Sequence, residues 1–127
     1  MSILIVNQDV MFLAELQNAF EMHGYKVITT TNSLMATDLF FQHKPRAVIM
    51  NVAMPHKDGF EIIKEIREFS QKTFILAVSA NQIYLRAILN LGASAALLNS
   101  TEHSTIVKVV QFFITSSEKT LENNLAA

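Results

Sequence analysis

The sequence is short of several features, and each shortage excludes a class of protein. Its 127 residues include no cysteine, so the chain has neither a disulfide framework nor thiol chemistry. Charged residues make up only 17% of the chain, against about 25% in an average soluble domain. The net charge of −1 gives no basic field that would attract nucleic acid or an anionic membrane. We therefore expect no direct binding to either.

Long apolar runs are also missing. No stretch approaches the roughly 18 apolar residues that a membrane-spanning helix needs. The first apolar run is interrupted at once by Asn7, Gln8 and Asp9, which argues against a signal peptide. The length is typical of one domain. These features predict a single-domain cytoplasmic protein.

What the sequence does contain is a regular alternation of two apolar patterns. Short unbroken apolar runs, typical of strands buried on both faces, alternate with segments whose apolar residues recur every three or four positions, as in helices. This alternation predicts an α/β fold: a doubly wound parallel sheet of five strands in the order 2-1-3-4-5, with five helices. We place the domain at residues 1–115. Residues 116–127 are expected to form a polar extension of the last helix or a frayed tail. The predicted strands cover residues 2–6, 25–30, 46–50, 73–78 and 94–98.

The central stretch of the chain is residues 47–59 (AVIMNVAMPHKDG). Its buried strand ends in Asn51, and the first strand ends just before Asn7 and Gln8. In an open parallel sheet of this order, the carboxyl ends of the first and third strands border the ligand crevice. We therefore expect these three amide side chains to lie together. Asp9 and Asp58 precede helical segments and are interpreted as helix N-caps.

Several short motifs, each weak alone, occur together in a characteristic order and spacing. With them, the chain resembles the receiver domain of two-component response regulators, from Ser2 to about Thr115. The motifs are Ile3–Val6 leading to Asp9, Gly24-Tyr25, Val48–Met50, Met54-Pro55 followed by Asp58-Gly59, Ser79-Ala80 and Gly92-Ala93.

The resemblance also implies a set of site residues, and most of them differ here. An active receiver is implied to carry two acids after the first strand, a phosphoacceptor aspartate after the third, a serine or threonine after the fourth, and an aromatic switch residue and a lysine around the fifth. Only the hydroxyl residue is kept. At the corresponding positions this chain has Asn7 and Gln8 for the acids, Asn51 for the phosphoacceptor, Ser79 for the hydroxyl, Ala96 for the aromatic residue and Asn99 for the lysine.

These substitutions remove the chemistry of phosphoryl transfer. An amide such as that of Asn51 is a very poor nucleophile, and neutral amide oxygens are poor ligands for Mg²⁺, which prefers carboxylates. Asn99 cannot supply the positive charge of a lysine. Amide groups can instead hydrogen-bond one another. We therefore expect no catalytic residue, no bound metal including Mg²⁺, no other cofactor and no enzymatic activity.

An interaction surface is expected on the fourth helix, fifth strand and fifth helix, as the resemblance implies. Leu85, Ile88 and Leu89 are predicted to face the sheet from the fourth helix, and Ile106, Val110 and Phe113 from the fifth. A second set of apolar side chains on the two helices is expected to be exposed and available for a protein partner or a homodimer. They are Tyr84, Ala87, Leu91, Val107, Phe112 and Ile114.

Three functions are compatible with these residues. The first is a phosphorylation-independent interaction module, a degenerate pseudo-receiver, in two-component signalling or a phosphorelay. The second is a small-molecule sensor that binds a polar ligand in the neutral crevice around Asn51. The third is a divergent receiver that is phosphorylated at a different aspartate, Asp9 or Asp58. Function follows the residues of a site rather than the fold, and the loss of nucleophile, acids and lysine together favours the first.

Overall fold

The fold is a single parallel sheet flanked by helices on both faces. The computed structural model describes residues 1–126, with side chains up to residue 119. The strand order is β2-β1-β3-β4-β5, which confirms the predicted doubly wound topology. The strands are β1 (Ser2–Val6), β2 (Lys26–Thr30), β3 (Ala47–Asn51), β4 (Phe74–Ser79) and β5 (Ala95–Leu98). The helices are α1 (Val10–Glu21), α2 (Ala36–His43), α3 (Gly59–Phe69), α4 (Gln82–Leu91) and α5 (His103–Ala126), with a short 3₁₀ turn (Ser33–Met35) before α2.

Two hydrophobic cores lie on opposite faces of the sheet. Successive strand residues point to opposite faces, so Ile3 and Ile5 pack toward α1 and α5. Leu4 and Val6 pack toward α2, α3 and α4. The inner strands β1, β3 and β4 are buried on both sides, as in other sheets covered by helices on both faces.

The helix starts agree with the capping predicted from the sequence. The carboxylate of Asp9 accepts hydrogen bonds from the backbone N–H groups of Met11 and Phe12 at the start of α1. The carboxylate of Asp58 accepts one from Glu61 at the start of α3. These bonds satisfy N–H groups that have no partner within the helix. Both aspartates are therefore N-caps, as predicted.

Gly59 explains why the loop after β3 turns directly into α3. A Cβ atom at this position would lie 3.0 Å from Cα of Val52 and 3.1 Å from the carbonyl oxygen of Asn51. Both contacts are with backbone, which cannot move aside as a flexible side chain could. The N–H of Gly59 also donates to the carbonyl of Val52 at 2.8 Å. The missing side chain thus lets α3 start against the end of β3.

The structure corrects the predicted faces of α5. Val107 and Ile114, predicted as interface residues, are 2% and 5% exposed. They are buried because α5 packs on α1 as well as on the sheet, and both side chains share a core cluster with Leu13 of α1. Phe113, predicted to be core, is 38% exposed. Phe112 is exposed, as predicted.

The structure also corrects part of α4. Leu89 was predicted to face the sheet but is exposed, whereas Leu91 was predicted to be exposed and is half-buried. Leu91 packs against the core cluster that contains Ile88, because it lies three residues after Ile88 and therefore on the same face of α4. Tyr84 and Ala87 are exposed, as predicted.

The C-terminal segment continues α5 as far as Ala126. The division at residue 115 between domain and extension stays a prediction, and Ala127, the last residue of that extension, lies outside the described residues. Within residues 1–126, no helix combines the length and apolar character required to cross a membrane.

Candidate functional site

The carboxyl ends of β1 and β3 bring two of the predicted amide side chains into direct contact. Because Val6 pairs with Met50 in the sheet, the residues that follow them meet at the same edge. The amide N–H of Asn51 donates to Gln8 Oε1 at 3.1 Å, and Gln8 Nε2 donates to the carbonyl of Ala53 at 3.2 Å. Gln8 thus joins the end of β3 to the loop after it, and the amides satisfy each other as expected.

Asn7 lies inside the same edge of the sheet. It is 4% exposed, and its Oδ1 accepts a hydrogen bond of 2.9 Å from the N–H of Asp9. Its own N–H donates to the carbonyl of Thr30 at the end of β2. The side chain of Asn7 therefore holds the turn from β1 into α1.

The remaining predicted site residues lie at the ends of the neighbouring strands. Ser79 ends β4 and is 2% exposed, and its hydroxyl oxygen accepts a hydrogen bond from the N–H of Asn81 at 3.0 Å. The N–H of Asn99 donates to the carbonyl of Ser79, and Asn99 is exposed. Ala96 lies earlier on β5, half-buried against the α2, α3 and α4 core. The backbone thus places Ser79 and Asn99 on the same edge as Asn51.

The two aspartates nearest this edge are both occupied as helix caps. One carboxylate oxygen of Asp9 and one of Asp58 accept backbone N–H groups of their own helices. In this position the two carboxylates stabilise the starts of their helices and are not positioned as nucleophiles for a phosphodonor. Neither aspartate occupies the end of β3, where Asn51 lies.

Comparison with known proteins identifies the family. Residues 3–111 match the response regulator receiver domain. The chain belongs to the response regulator receiver family. Family members act in two-component signalling, so this receiver domain is a member of that signalling class.

Similar proteins show how far the likeness extends. Response regulator MprA from Mycobacterium sp. (strain KMS) is 29% identical over 93 residues, which are 73% of this chain and 40% of MprA. The polar-differentiation response regulator DivK from Brucella anthropi is 30% identical over 81 residues, 62% of this chain and 66% of DivK. This receiver domain thus matches less than half of MprA.

A solved structure shows the same fold at low identity. A two-component response regulator from Clostridium difficile superposes with a TM-score of 0.83, covering 91% of this chain and 96% of the chain in that structure at 19% identity. At this identity the likeness concerns the fold alone. The doubly wound sheet of this receiver domain is therefore common to proteins with largely different sequences.

The residues at the edge of the sheet do not fit the Mg²⁺ that the family implies. Mg²⁺ prefers carboxylate oxygens in near-octahedral geometry, and Asn7, Gln8 and Asn51 offer only neutral amides. Two of their oxygens are already used, Asn7 Oδ1 by the N–H of Asp9 and Gln8 Oε1 by Asn51. Among the described residues, no group of three or more His, Cys, Asp or Glu side chains could hold a metal ion.

A polar network that the sequence did not predict fixes the loop after β3. Lys57 Nζ lies 2.6 Å from Glu65 Oε2, and the hydroxyl of Thr37 donates to the same carboxylate oxygen. Ser33 is 3% exposed and donates to the carbonyl of Pro55 at 2.6 Å. The loop that follows Asn51 is therefore tied to α2, to α3 and to the 3₁₀ turn. The network joins residues that are far apart in the sequence, so their spacing along the chain gives no sign of it.

The ion pair of this network should give the loop a pH-dependent stability. Burial opposes ionisation of Glu65, but hydrogen bonds from Lys57 and Thr37 and the charge of Lys57 outweigh it, so the pKa of Glu65 is lowered from 4.5. A lowered folded-state pKa contributes stability that is complete above the unfolded value and is lost as pH falls through the folded value. In urea unfolding, the free energy of unfolding of the wild type should therefore exceed that of Glu65→Gln at neutral pH. Because the pair is partly exposed, the difference should be at most about 1 kcal/mol.

This difference should shrink as the pH falls below 4.5, the ordinary value for Glu65. Glu68→Gln, at an exposed position of the same helix, is the matched control. Glu68 forms no ion pair with the described residues, so its replacement should lower the free energy of unfolding at neutral pH by less than Glu65→Gln does. A Glu65→Gln difference that is independent of pH would mean that the ion pair does not stabilise the folded state.

Proposed function

We propose that this receiver domain is a phosphorylation-independent protein-interaction module of two-component signalling, acting in the cytoplasm without enzymatic activity. The observation that carries the proposal is the hydrogen bond between Asn51 and Gln8. It joins the phosphoacceptor and acid positions in one neutral pair. A phosphorylation switch needs a nucleophile and a counter-charge that respond to the phosphoryl group, and neither an amide pair nor Asn99 provides them.

The same bonds favour this function over the two alternatives. A polar ligand in the neutral crevice would have to displace the hydrogen bonds that Gln8 makes with Asn51 and with the carbonyl of Ala53. Phosphorylation at Asp9 or Asp58 would turn the capping carboxylate of α1 or α3 into a neutral acyl group, a weaker acceptor for the N–H groups of the helix. An intact cap contributes about 1 kcal/mol. Each alternative therefore has a structural cost that the interaction module avoids.

The proposal requires that treatment with acetyl phosphate and Mg²⁺ leave the intact mass of the chain unchanged. Mass spectrometry of the treated protein measures this directly. Addition of a phosphoryl group at any aspartate would contradict the proposal, and peptide mapping would show whether Asp9 or Asp58 had been modified.

The contact surface proposed for this module lies on α4, β5 and α5. β5 is the last strand in the sheet, so one of its edges has no neighbouring strand. Tyr84 of α4 is 40% exposed and Phe112 of α5 is 67% exposed, and Ala87 is also exposed. Aromatic side chains are enriched at the centres of protein interfaces. We propose that a second copy of the chain binds here.

Charge introduced on the α5 part of this surface should dissociate the homodimer. Phe112→Glu is expected to raise the dimer dissociation constant at least about tenfold, because a carboxylate buried without a partner is strongly unfavourable. Sedimentation velocity over a concentration series measures the constant. Phe112 makes no contribution to the buried core, so the variant should remain folded.

Met22→Glu is the matched control for this experiment. Met22 is 77% exposed and lies at the C-terminal end of α1, on a different helix. It should leave the dissociation constant unchanged. Equal sedimentation of the wild type and both variants at all concentrations would rule out the α4–β5–α5 homodimer.

A further inference from the structure

A cavity lies at the opposite edge of the sheet from Asn51, among the described residues. It has a volume of about 730 Å³, within the range of roughly 300–1,000 Å³ that is usual for small-ligand sites. It is formed where β3, β4 and β5 begin and where α5 passes over them. The residues that define it include Arg46, Lys72, Phe113 and Ser94. We call it the amino-edge groove.

The amino-edge groove is lined by positive and hydroxyl side chains. Arg46 and Lys72 line it, and none of the described lining residues is acidic. Arg46 pairs with Glu118 at 2.8 Å, whereas Lys72 forms no ion pair with the described residues. The lining hydroxyl groups belong to Ser70, Thr73, Ser94, Ser116 and Ser117. Those of Ser70 and Thr73 hydrogen-bond each other at 2.7 Å, so the positive side chains are the main attraction for an anion.

A third cation lies directly behind the wall of the groove. The guanidinium of Arg67 donates to the carbonyl oxygens of Ser70 and Thr73 at 3.1 and 2.9 Å, and to the hydroxyl of Ser94 at 3.2 Å. All three partners line the groove. Within the described part of the chain Arg67 forms no ion pair with a carboxylate. Burial lowers its pKa, but a guanidinium group is too basic to lose its proton at neutral pH. The wall therefore carries a positive charge that no acid neutralises.

The groove also has an aromatic side. The rings of Phe74 and Phe113 stack with centroids 4.3 Å apart and planes at 28°. Phe74 is buried but Phe113 is 38% exposed, and both line the groove. An exposed phenyl ring can stack on a flat ligand. Flat apolar surface and uncompensated positive charge thus occur in one cavity.

We propose that the amino-edge groove binds a small organic anion with a flat, aromatic body. The anionic group lies between Lys72 and the wall supported by Arg67, and the flat body lies against Phe113. The site is independent of the amide pair at Asn51, so it adds a ligand-binding function that the interaction module does not require.

The fluorescent aromatic sulfonate 8-anilinonaphthalene-1-sulfonate is the probe for this site. Titration into the ¹⁵N-labelled full chain should shift amide signals of residues 70–74 and 113–117 first. Lys72→Glu should weaken binding by about fivefold, the upper end of the range for one exposed ion pair. Lys64→Glu makes the same charge change at an exposed position of α3 outside the groove, and should leave the affinity as in wild type.

A second variant and a second anion distinguish the contribution of the aromatic body from that of the anionic group. Phe113→Leu keeps an apolar side chain but removes the ring, and should weaken binding of the aromatic sulfonate while leaving that of inorganic sulfate unchanged. If Lys72→Glu and Lys64→Glu bound the probe with equal affinity, or if the shifted amide signals were centred on Asn51, the proposed site would be wrong. Displacement of the probe by sulfate at equal concentration would overturn the aromatic part of the proposal.

Discussion

A chain with Asn7→Asp, Gln8→Glu, Asn51→Asp and Asn99→Lys is expected to become phosphorylated by acetyl phosphate in the presence of Mg²⁺, whereas the natural chain gains no mass. The four changes restore the acids, nucleophile and lysine that the receiver family implies. A carboxylate attacks phosphorus where an amide does not, and carboxylates bind the Mg²⁺ that neutralises developing charge. The lysine adds positive charge at the phosphoryl oxygens.

The geometry favours success of this variant because three of the changes preserve shape. Asp and Glu have nearly the size of Asn and Gln, and the carboxylate of an aspartate at position 7 can still accept the N–H of Asp9, which now donates to Asn7 Oδ1 at 2.9 Å. What changes is charge. The clustered carboxylates should repel one another without metal, so this variant should be less stable than the natural chain until Mg²⁺ is added.

Thermal unfolding should distinguish the fourfold variant from the natural chain as clearly as the gain in mass does. At an Mg²⁺ concentration about 100 times its dissociation constant, binding should stabilise the variant by about 2.7 kcal/mol, while the natural chain should show no response. Asn51→Asp alone is the control, because it supplies the nucleophile without the rest of the site. Phosphorylation of the natural chain, or none in the fourfold variant, would contradict our explanation of the site.

Replacing Arg67 with methionine is expected to lower the free energy of unfolding by about 2–4 kcal/mol. Arg67 Nε donates to the carbonyl of Gly92 at 2.9 Å, and its other nitrogens reach Ser70, Thr73 and Ser94. A buried acceptor that loses its donor costs about 1–3 kcal/mol. The side chain joins the end of α3 to the beginnings of β4 and β5, so its loss loosens three segments at once.

Arg46→Met is the matched control for this substitution. Arg46 makes an exposed ion pair with Glu118, with side chains 40% and 47% exposed, and exposed pairs contribute about 0–1 kcal/mol. Urea unfolding followed by circular dichroism gives both free energies. Similar losses for the two arginines would mean that the bonds of Arg67 do not contribute more than a surface pair.

Much of the fold could be predicted because strand burial leaves a direct mark in the sequence. Strands such as β3 and β4 are apolar at every position except the last, since helices cover both faces of a parallel sheet. The caps Asp9 and Asp58 were equally readable, because a helix start needs a side-chain acceptor for its free N–H groups. These signals depend only on neighbouring residues in the sequence, so they can be recognised without a structure.

Helix faces were predicted less well because a helix packs against more than the sheet. The spacing of Val107 and Ile114 could not show that α1 covers the side of α5 on which they lie. The same limit applies to Leu89 and Leu91, whose exposures are the reverse of those expected. Periodicity predicts that a helix has an apolar face. Which side chains of that face are buried depends on the neighbouring helices.

The sequence by itself determined the order of the strands, the edge of the sheet where the site lies, and the loss of charge at Asn7, Gln8, Asn51 and Asn99. These depend on residue identity and on topology rules that hold for parallel sheets in general. Only the tertiary structure decided that Gln8 bonds both Asn51 and Ala53, and that Arg67 stands behind a groove at the opposite edge. Such contacts join residues distant in the chain, and the directions of their side chains are set by packing, which no spacing along the sequence records.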